Sequence, residues 1–192
     1  MIPKSFYDMD SRIVASEILG KTIVRKNMKL YGKIVETEAY YGIHDPASRA
    51  QAERKTNLSR WWGHAEPGTL FVYMVHGNWL MNIVAGKINH EPTGILIRAV
   101  EPLKGIKTMM KKRKTSDIKN LTSGPGKLTK AFGITKKCTG MNVSDKKSDI
   151  IITKGKNEKF EIKASGRIGV RKDLQEKMRF YIKDNDFVSK KI

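Results

Sequence analysis

Apolar residues along the chain fall into short blocks, some alternating with polar positions at a strand's spacing and some recurring at a helix's. Asp10 and Ser11 offer N-caps for a helix running through Leu19, which Gly20 can close. Strands are expected over residues 22–25 and 31–41. The stretch 42–66 carries turn residues, charges and two adjacent tryptophans without a clear period, and connections of that length are often functional. Residues Thr69 to Val75 and Trp79 to Ala85 read as two strands, with His76-Gly77-Asn78 as a tight turn, which makes a hairpin. Gly94 to Val100 reads as another strand, ended by Pro102. Leu103, Ile106, Met109 and Met110 then recur at helical spacing, and a further helix starts near Ser123 and closes at Gly133. Shorter strand signals lie at 149–153, 159–164 and 179–183. With neither an internal repeat nor a linker dividing the chain, the pattern predicts one α+β domain over residues 1–192, built on a largely antiparallel sheet.

Charge changes this picture more than composition does. Thirty-eight Lys and Arg face nineteen Asp and Glu, a formal net charge of +19 with a pI near 10.0. Such an excess points to a polyanionic partner, because cations that neutralise phosphates release condensed counterions. The lysine-rich segment 104–114 and the tail SKKI are equally compatible with plain solvated surface. A single cysteine, Cys138, excludes an intrachain disulfide and leaves Cys-based zinc or iron–sulfur sites short of ligands. His44, His64, His76 and His90 are scattered, so no metal site is expected. No apolar run approaches the roughly 20 residues of a membrane span, and the N-terminal MIPKSFYDMDSR lacks a signal peptide's apolar block, so an intracellular soluble protein is expected.

Three segments carry candidate chemistry. In the strand around IVETEAY, alternation places Ile34, Glu36, Glu38 and Tyr40 on one face, an acidic surface on a very basic protein. A carboxylate beside an aromatic ring suits a site where a planar base stacks while a water is activated. The hairpin puts Phe71 and Tyr73 on one face and His76 and Trp79 at or beside its tip, where projecting rings can wedge into a base stack. In LTSGPGKL, Ser123 can cap a helix and Gly124 permits close backbone approach, so the helix start can receive a phosphate with Lys127 nearby.

Together these segments resemble the alkyladenine DNA glycosylase family, the 3-methyladenine DNA glycosylases of the mammalian type. The matching stretches are IVETEAY (34–40), PGTLFVY (67–73), MN (81–82), ILIRAVEPL (95–103), SGPGKL (123–128), RIGV (167–170), RFY (179–181) and FVS (187–189), in the family's order across nearly the whole chain. The resemblance implies an α+β domain like the C-terminal domain of methionyl-tRNA formyltransferase, with a curved antiparallel sheet and surrounding helices. It implies a monomeric, cofactor-free, metal-free enzyme that acts on double-stranded DNA containing damaged purines. It would be cytoplasmic and nucleoid-associated in a prokaryote, nuclear in a eukaryote. By the family pattern Glu38 is the general base that activates water, and Arg98 lies close to that water and the DNA backbone. Tyr40 and Tyr73 stack on the flipped base, and Asn82 on the pocket floor rejects guanine through its exocyclic amine. Position 76 supplies the wedge, and Ser123, Gly124 and Lys127 meet the backbone.

Three departures from that pattern bear on substrate choice. Ala47-Ser48 is followed by Arg49 where the family has histidine at the base-binding position, and the wedge tyrosine is replaced by His76. The second hairpin strand, GNWLMN, is one residue shorter than usual, which leaves the register of Asn82 to be fixed by strand pairing. A cation at position 49 disfavours a positively charged alkylpurine, so the expectation is a preference shifted toward neutral lesions such as hypoxanthine. The alternatives from other classes are a catalytically silent nucleic-acid-binding protein on the same fold, a bifunctional glycosylase working through a lysine Schiff base, and a ribosome-associated basic protein.

Overall fold

The computed structural model describes residues 1–42, 45–48, 64–88 and 91–190. Among the described residues eight strands form one sheet: β1 (Thr22–Arg25), β2 (Leu30–Tyr40), β3 (Leu70–Val75), β4 (Asn78–Ile88), β5 (Glu91–Lys104), β6 (Ile150–Thr153), β7 (Ile162–Ser165) and β8 (Arg179–Ile182). Their main path runs β3-β4-β5-β2-β1-β6, with β8 on β2 and β7 on β8. Every pairing is antiparallel, and the sheet curls into a half-barrel with few helices. The branch comes from β2. Its first residues, Leu30 to Lys33, pair with β1, whereas Glu36 to Glu38 pair with β8. One strand therefore receives neighbours from two parts of the chain, and the acidic segment sits where they meet.

The described helices are short: α1 (Lys4–Tyr7), α2 (Ser11–Glu17), α3 (Ile106–Arg113) and α4 (Pro125–Phe132). The expected helix after Asp10 forms, with the Asp10 carboxylate accepting from the Arg12 N–H at 2.7 Å as its cap. Val14 and Ala15 of α2 pack on the sheet, and the Thr37 hydroxyl satisfies the Ala15 carbonyl at 2.6 Å. Leu128, Ala131 and Phe132 of α4 complete the same core. Burying each large side chain contributes about 1.5–3 kcal/mol. No helix among the described residues is long and apolar enough to cross a membrane.

The boundaries around Pro102 differ from expectation. Pro102 does not end its strand, because β5 continues to Lys104 and Pro102 lies opposite Gly32 beside a register shift at Tyr31/Gly32. Proline lacks a ladder donor, and such an irregularity is where a strand tolerates it. Leu103 accordingly belongs to β5, and α3 begins at Ile106 behind Gly105, whose left-handed φ of 81° turns the chain.

Strict alternation also breaks in β2. Register shifts between Ile34/Glu36 and Glu36/Thr37 interrupt the face assignment, and Ile34 and Val35 are both buried in the apolar core. In β3, β4, the middle of β5 and the end of β2 the two faces separate. Leu70 and Val72, Met81 and Ile83, Ile95 and Ile97, and Ala39 join the core, leaving their neighbours Phe71, Tyr73, Asn82, Val84, Leu96, Arg98, Glu38 and Tyr40 for the opposite face.

Candidate active site

That opposite face carries the site. Phe71 lies opposite Asn82, Asn82 opposite Leu96, Leu96 opposite Glu38, and Glu38 opposite Arg179, one row across five strands. Directly opposed residues share a face, so the strand pairing settles the register of Asn82: it points to the same side as Glu38. Asn82 is buried, and its amide leans on the Phe71 carbonyl at 3.4 Å. Phe71 and Val84, with Tyr73 and Ala65 packed on them, form a small apolar cluster apart from the main core. The Phe71 and Tyr73 rings stand 5.4 Å apart at 42°.

Glu38 is fully buried and held by three donors. Its Oε1 accepts from the Ile168 backbone N–H at 2.7 Å. Its Oε2 accepts from the Tyr40 hydroxyl at 2.8 Å and from Arg98 Nη1 at 3.1 Å. A carboxylate offers about four acceptor positions, so one remains among the described residues. Burial raises the Tyr40 phenol well above its ordinary range, and the Glu38 charge raises it further, which keeps it a neutral donor. Tyr73 acts on Tyr40 in the same direction, placing the two phenols in electrostatic reach. For Arg98 burial opposes the charge, yet Glu38 and Glu36 outweigh it and the pKa rises.

Behind these groups lies a layer that sequence reasoning missed. Glu36, also fully buried, accepts from Arg98 Nε at 3.0 Å, Arg179 Nε at 2.8 Å, the Ser189 hydroxyl at 2.8 Å and the Ser189 N–H at 2.6 Å. Two buried carboxylates thus face two buried guanidinium groups. On the other flank Arg167 grips Asp45 with both terminal nitrogens at 2.6 and 2.8 Å, and Asp173 through Nε at 2.8 Å. Its guanidinium carbon lies 4.6 Å from the Tyr40 ring centroid, a cation–π contact on a fully buried cation. Burial opposes the Arg167 charge, but Asp45 and Asp173 outweigh it and push its pKa up. The signal for this layer was present as charge inside apolar strands: Arg179 opens RFYI, all of it buried, and an arginine there needs a partner.

The hairpin and α4 frame the rim. Val75 pairs with Asn78, so the loop is His76-Gly77, with φ of 46° and 76°. Two consecutive positive φ values define the turn that follows strand twist, and histidine tolerates it better than most side chains. His76 is exposed at the tip. A Cβ on Gly126 would meet the Asn78 side chain at 2.8 Å, so glycine lets α4 press against the hairpin, and the Thr129 hydroxyl donates to the Trp79 carbonyl at 2.7 Å. The cap differs from expectation: the helix starts at Pro125, so Gly124, at a positive φ of 152° that side chains rarely adopt, occupies the N-cap and Ser123 lies one residue before it. Pro125 suits the first helical position, where its missing N–H would have no partner in the helix. Ser123 instead bridges Ala99, the residue after Arg98. Lys127 is half-exposed, with its ammonium on the Asn120 side chain. The structure therefore brings Glu38, Tyr40, Tyr73, Asn82 and Arg98 to one face, with the hairpin tip bearing His76 braced on α4. Arg49 lies outside the described residues.

A sequence model described as methylpurine-DNA glycosylase (MPG) matches residues 5–186. A relative from Clostridium novyi (strain NT) is 43% identical over 98% of both chains. Others from Clostridium perfringens (strain SM101 / Type A) and Clostridium botulinum (strain Hall) are 40% and 38% identical over 98% and 99% of both chains. All three bear the name "Putative 3-methyladenine DNA glycosylase". The chain belongs to the methylpurine-DNA glycosylase family, hydrolases that act on N-glycosyl bonds in DNA base-excision repair.

Proposed function

We propose that the chain is a monofunctional, monomeric glycosylase that flips alkylated or deaminated purines from duplex DNA and hydrolyses the N-glycosidic bond. The class is that of 3-methyladenine, 7-methylguanine and hypoxanthine. The observation that carries this reading is the Glu38 carboxylate, buried under Tyr40 and oriented by Arg98 and the Ile168 N–H, on the face that also bears Tyr73 and Asn82. Cleavage at the sugar carbon develops oxocarbenium character, as in glycoside hydrolysis. A carboxylate in a water-poor setting stabilises that charge and takes the proton of an attacking water at its remaining acceptor position.

The other roles are those the family resemblance implies. A flipped purine stacks between Tyr40 and Tyr73, and Asn82 opposes a base with an exocyclic amine. His76 fills the gap left in the stack, and unstacking costs a few kcal/mol, least for a lesion that pairs poorly. The backbone at Ser123 and Gly124, with Lys127, meets phosphate. The lesion-preference proposal rests on Arg49 and His76, which favour neutral hypoxanthine over cationic 3-methyladenine. The fold is proposed to be that of the formyltransferase C-terminal domain, and the protein to work in a bacterial cytoplasm beside the nucleoid, in keeping with its clostridial relatives.

An excision assay on duplexes carrying each lesion tests the reading. Free base and an intact abasic strand are expected, with no complex trapped by borohydride. A trapped complex overturns the monofunctional reading, and strong preference for 3-methyladenine overturns the lesion preference alone.

A further inference from the structure

The chain that follows β8 returns to the site. The Phe187 N–H donates to the Asn185 side chain at 3.0 Å, and that side chain donates to Glu101 on β5 at 2.9 Å. Val188 is buried, and the next residue, Ser189, gives both its N–H and its hydroxyl to Glu36. Arg98 Nη2 lies 3.4 Å from the Ser189 hydroxyl, and Arg179 Nη2 donates to the Lys190 carbonyl at 2.5 Å. Ser189 and the Lys190 carbonyl are thus tied in, while Lys190 itself is exposed.

Arg98 meets Glu38 through Nη1 and Glu36 through Nε, so its planar fork is fixed at two points. Glu36 can hold the second point only while its own two oxygens are oriented, and Ser189 supplies a donor to each of them. We infer that Ser189, acting through Glu36, is a positioning residue that keeps the Arg98 guanidinium on the reacting carboxylate. Ser189 is part-exposed at the edge of this network, so its hydroxyl can be removed without emptying the core. Glu36 lies too deep for that, since its loss takes the carboxylate from the buried Arg179 and leaves Arg98 with Glu38 alone. The inference rests on the hydrolytic role given to Glu38.

The test is single-turnover base release by the full chain from duplexes carrying hypoxanthine or 7-methylguanine, comparing the parent with Ser189→Ala and Ser189→Thr. Ser189→Ala is expected to slow release roughly five- to tenfold, the scale of one ordinary hydrogen bond's net contribution. Lesion-duplex affinity should stay at the parent value, Tm should fall by only a few degrees, and Ser189→Thr should restore the rate. In an Arg98→Lys background the same alanine change should cost nothing more, because coupled residues are not additive. An Ser189→Ala rate equal to the parent's overturns the inference. So does a full further loss on the Arg98→Lys background, a slowing matched by lost affinity, or one that Ser189→Thr does not reverse. A parent that releases neither base overturns the hydrolytic reading itself, and with it this inference.

Discussion

At the scale of single residues, Tyr40 does two jobs that substitution can separate. Its ring rests on Arg167 while its hydroxyl donates to Glu38. Tyr40→Phe keeps the ring and removes one charge-assisted donor, so base release should fall by about tenfold with lesion affinity nearly unchanged. Rapid-quench kinetics beside a binding titration measures both. The phenol also has a signature at high pH. Its folded-state pKa is raised, by burial first, and the buried Tyr7 phenol is raised by burial too. That contribution to stability is complete below the unfolded tyrosine value of about 10 and is lost as pH climbs beyond it. Denaturant midpoints should therefore fall above about pH 10, and fall less steeply in Tyr7→Phe or Tyr40→Phe.

Among the elements, the β3–β4 hairpin separates structural demand from chemical role. His76 sits at φ 46° in a two-residue turn. His76→Asn preserves a residue type that accepts this backbone and removes the imidazole. Stability should stay within about 0.5 kcal/mol, while release from a paired lesion slows. His76→Val puts a β-branched side chain at positive φ and should lose about 1–2 kcal/mol in a denaturant titration. The hairpin, its turn, α2 and the end of α4 at Gly133 were all legible from the chain, because each is encoded locally by alternation, caps or turn residues. Glu38 and Tyr40 were legible for the same reason, since they share a strand face. What the sequence did not reveal is set by distant pairing. The ion network joins Glu36, Arg98, Arg179 and Ser189 from four places in the chain, and nothing near any one of them names the others. Pro102 misled as a strand end because the irregularity that tolerates it, the extra residue Leu103, exists only in the pairing of β5 with the distant β2. Ser123 misled as a cap because the helix starts at Pro125, which puts Gly124 in the N-cap position and Ser123 one residue outside it.

For the molecule as a whole, a net charge of +19 surrounds a site whose own buried charges are balanced. Binding and chemistry should therefore respond to different variables. Affinity for undamaged duplex should fall steeply and log-linearly with salt, by about 0.9 log unit per log of salt for each phosphate neutralised. Glu38→Gln should leave that slope unchanged, as fluorescence anisotropy would measure. The central claim is that Glu38 performs the hydrolysis, and its most direct test is single-turnover release of hypoxanthine or 7-methylguanine by the parent and by Glu38→Gln. The variant should bind lesion duplex as the parent does and release base about 10²–10⁴-fold more slowly. Release by Glu38→Gln at the parent's rate would contradict the account.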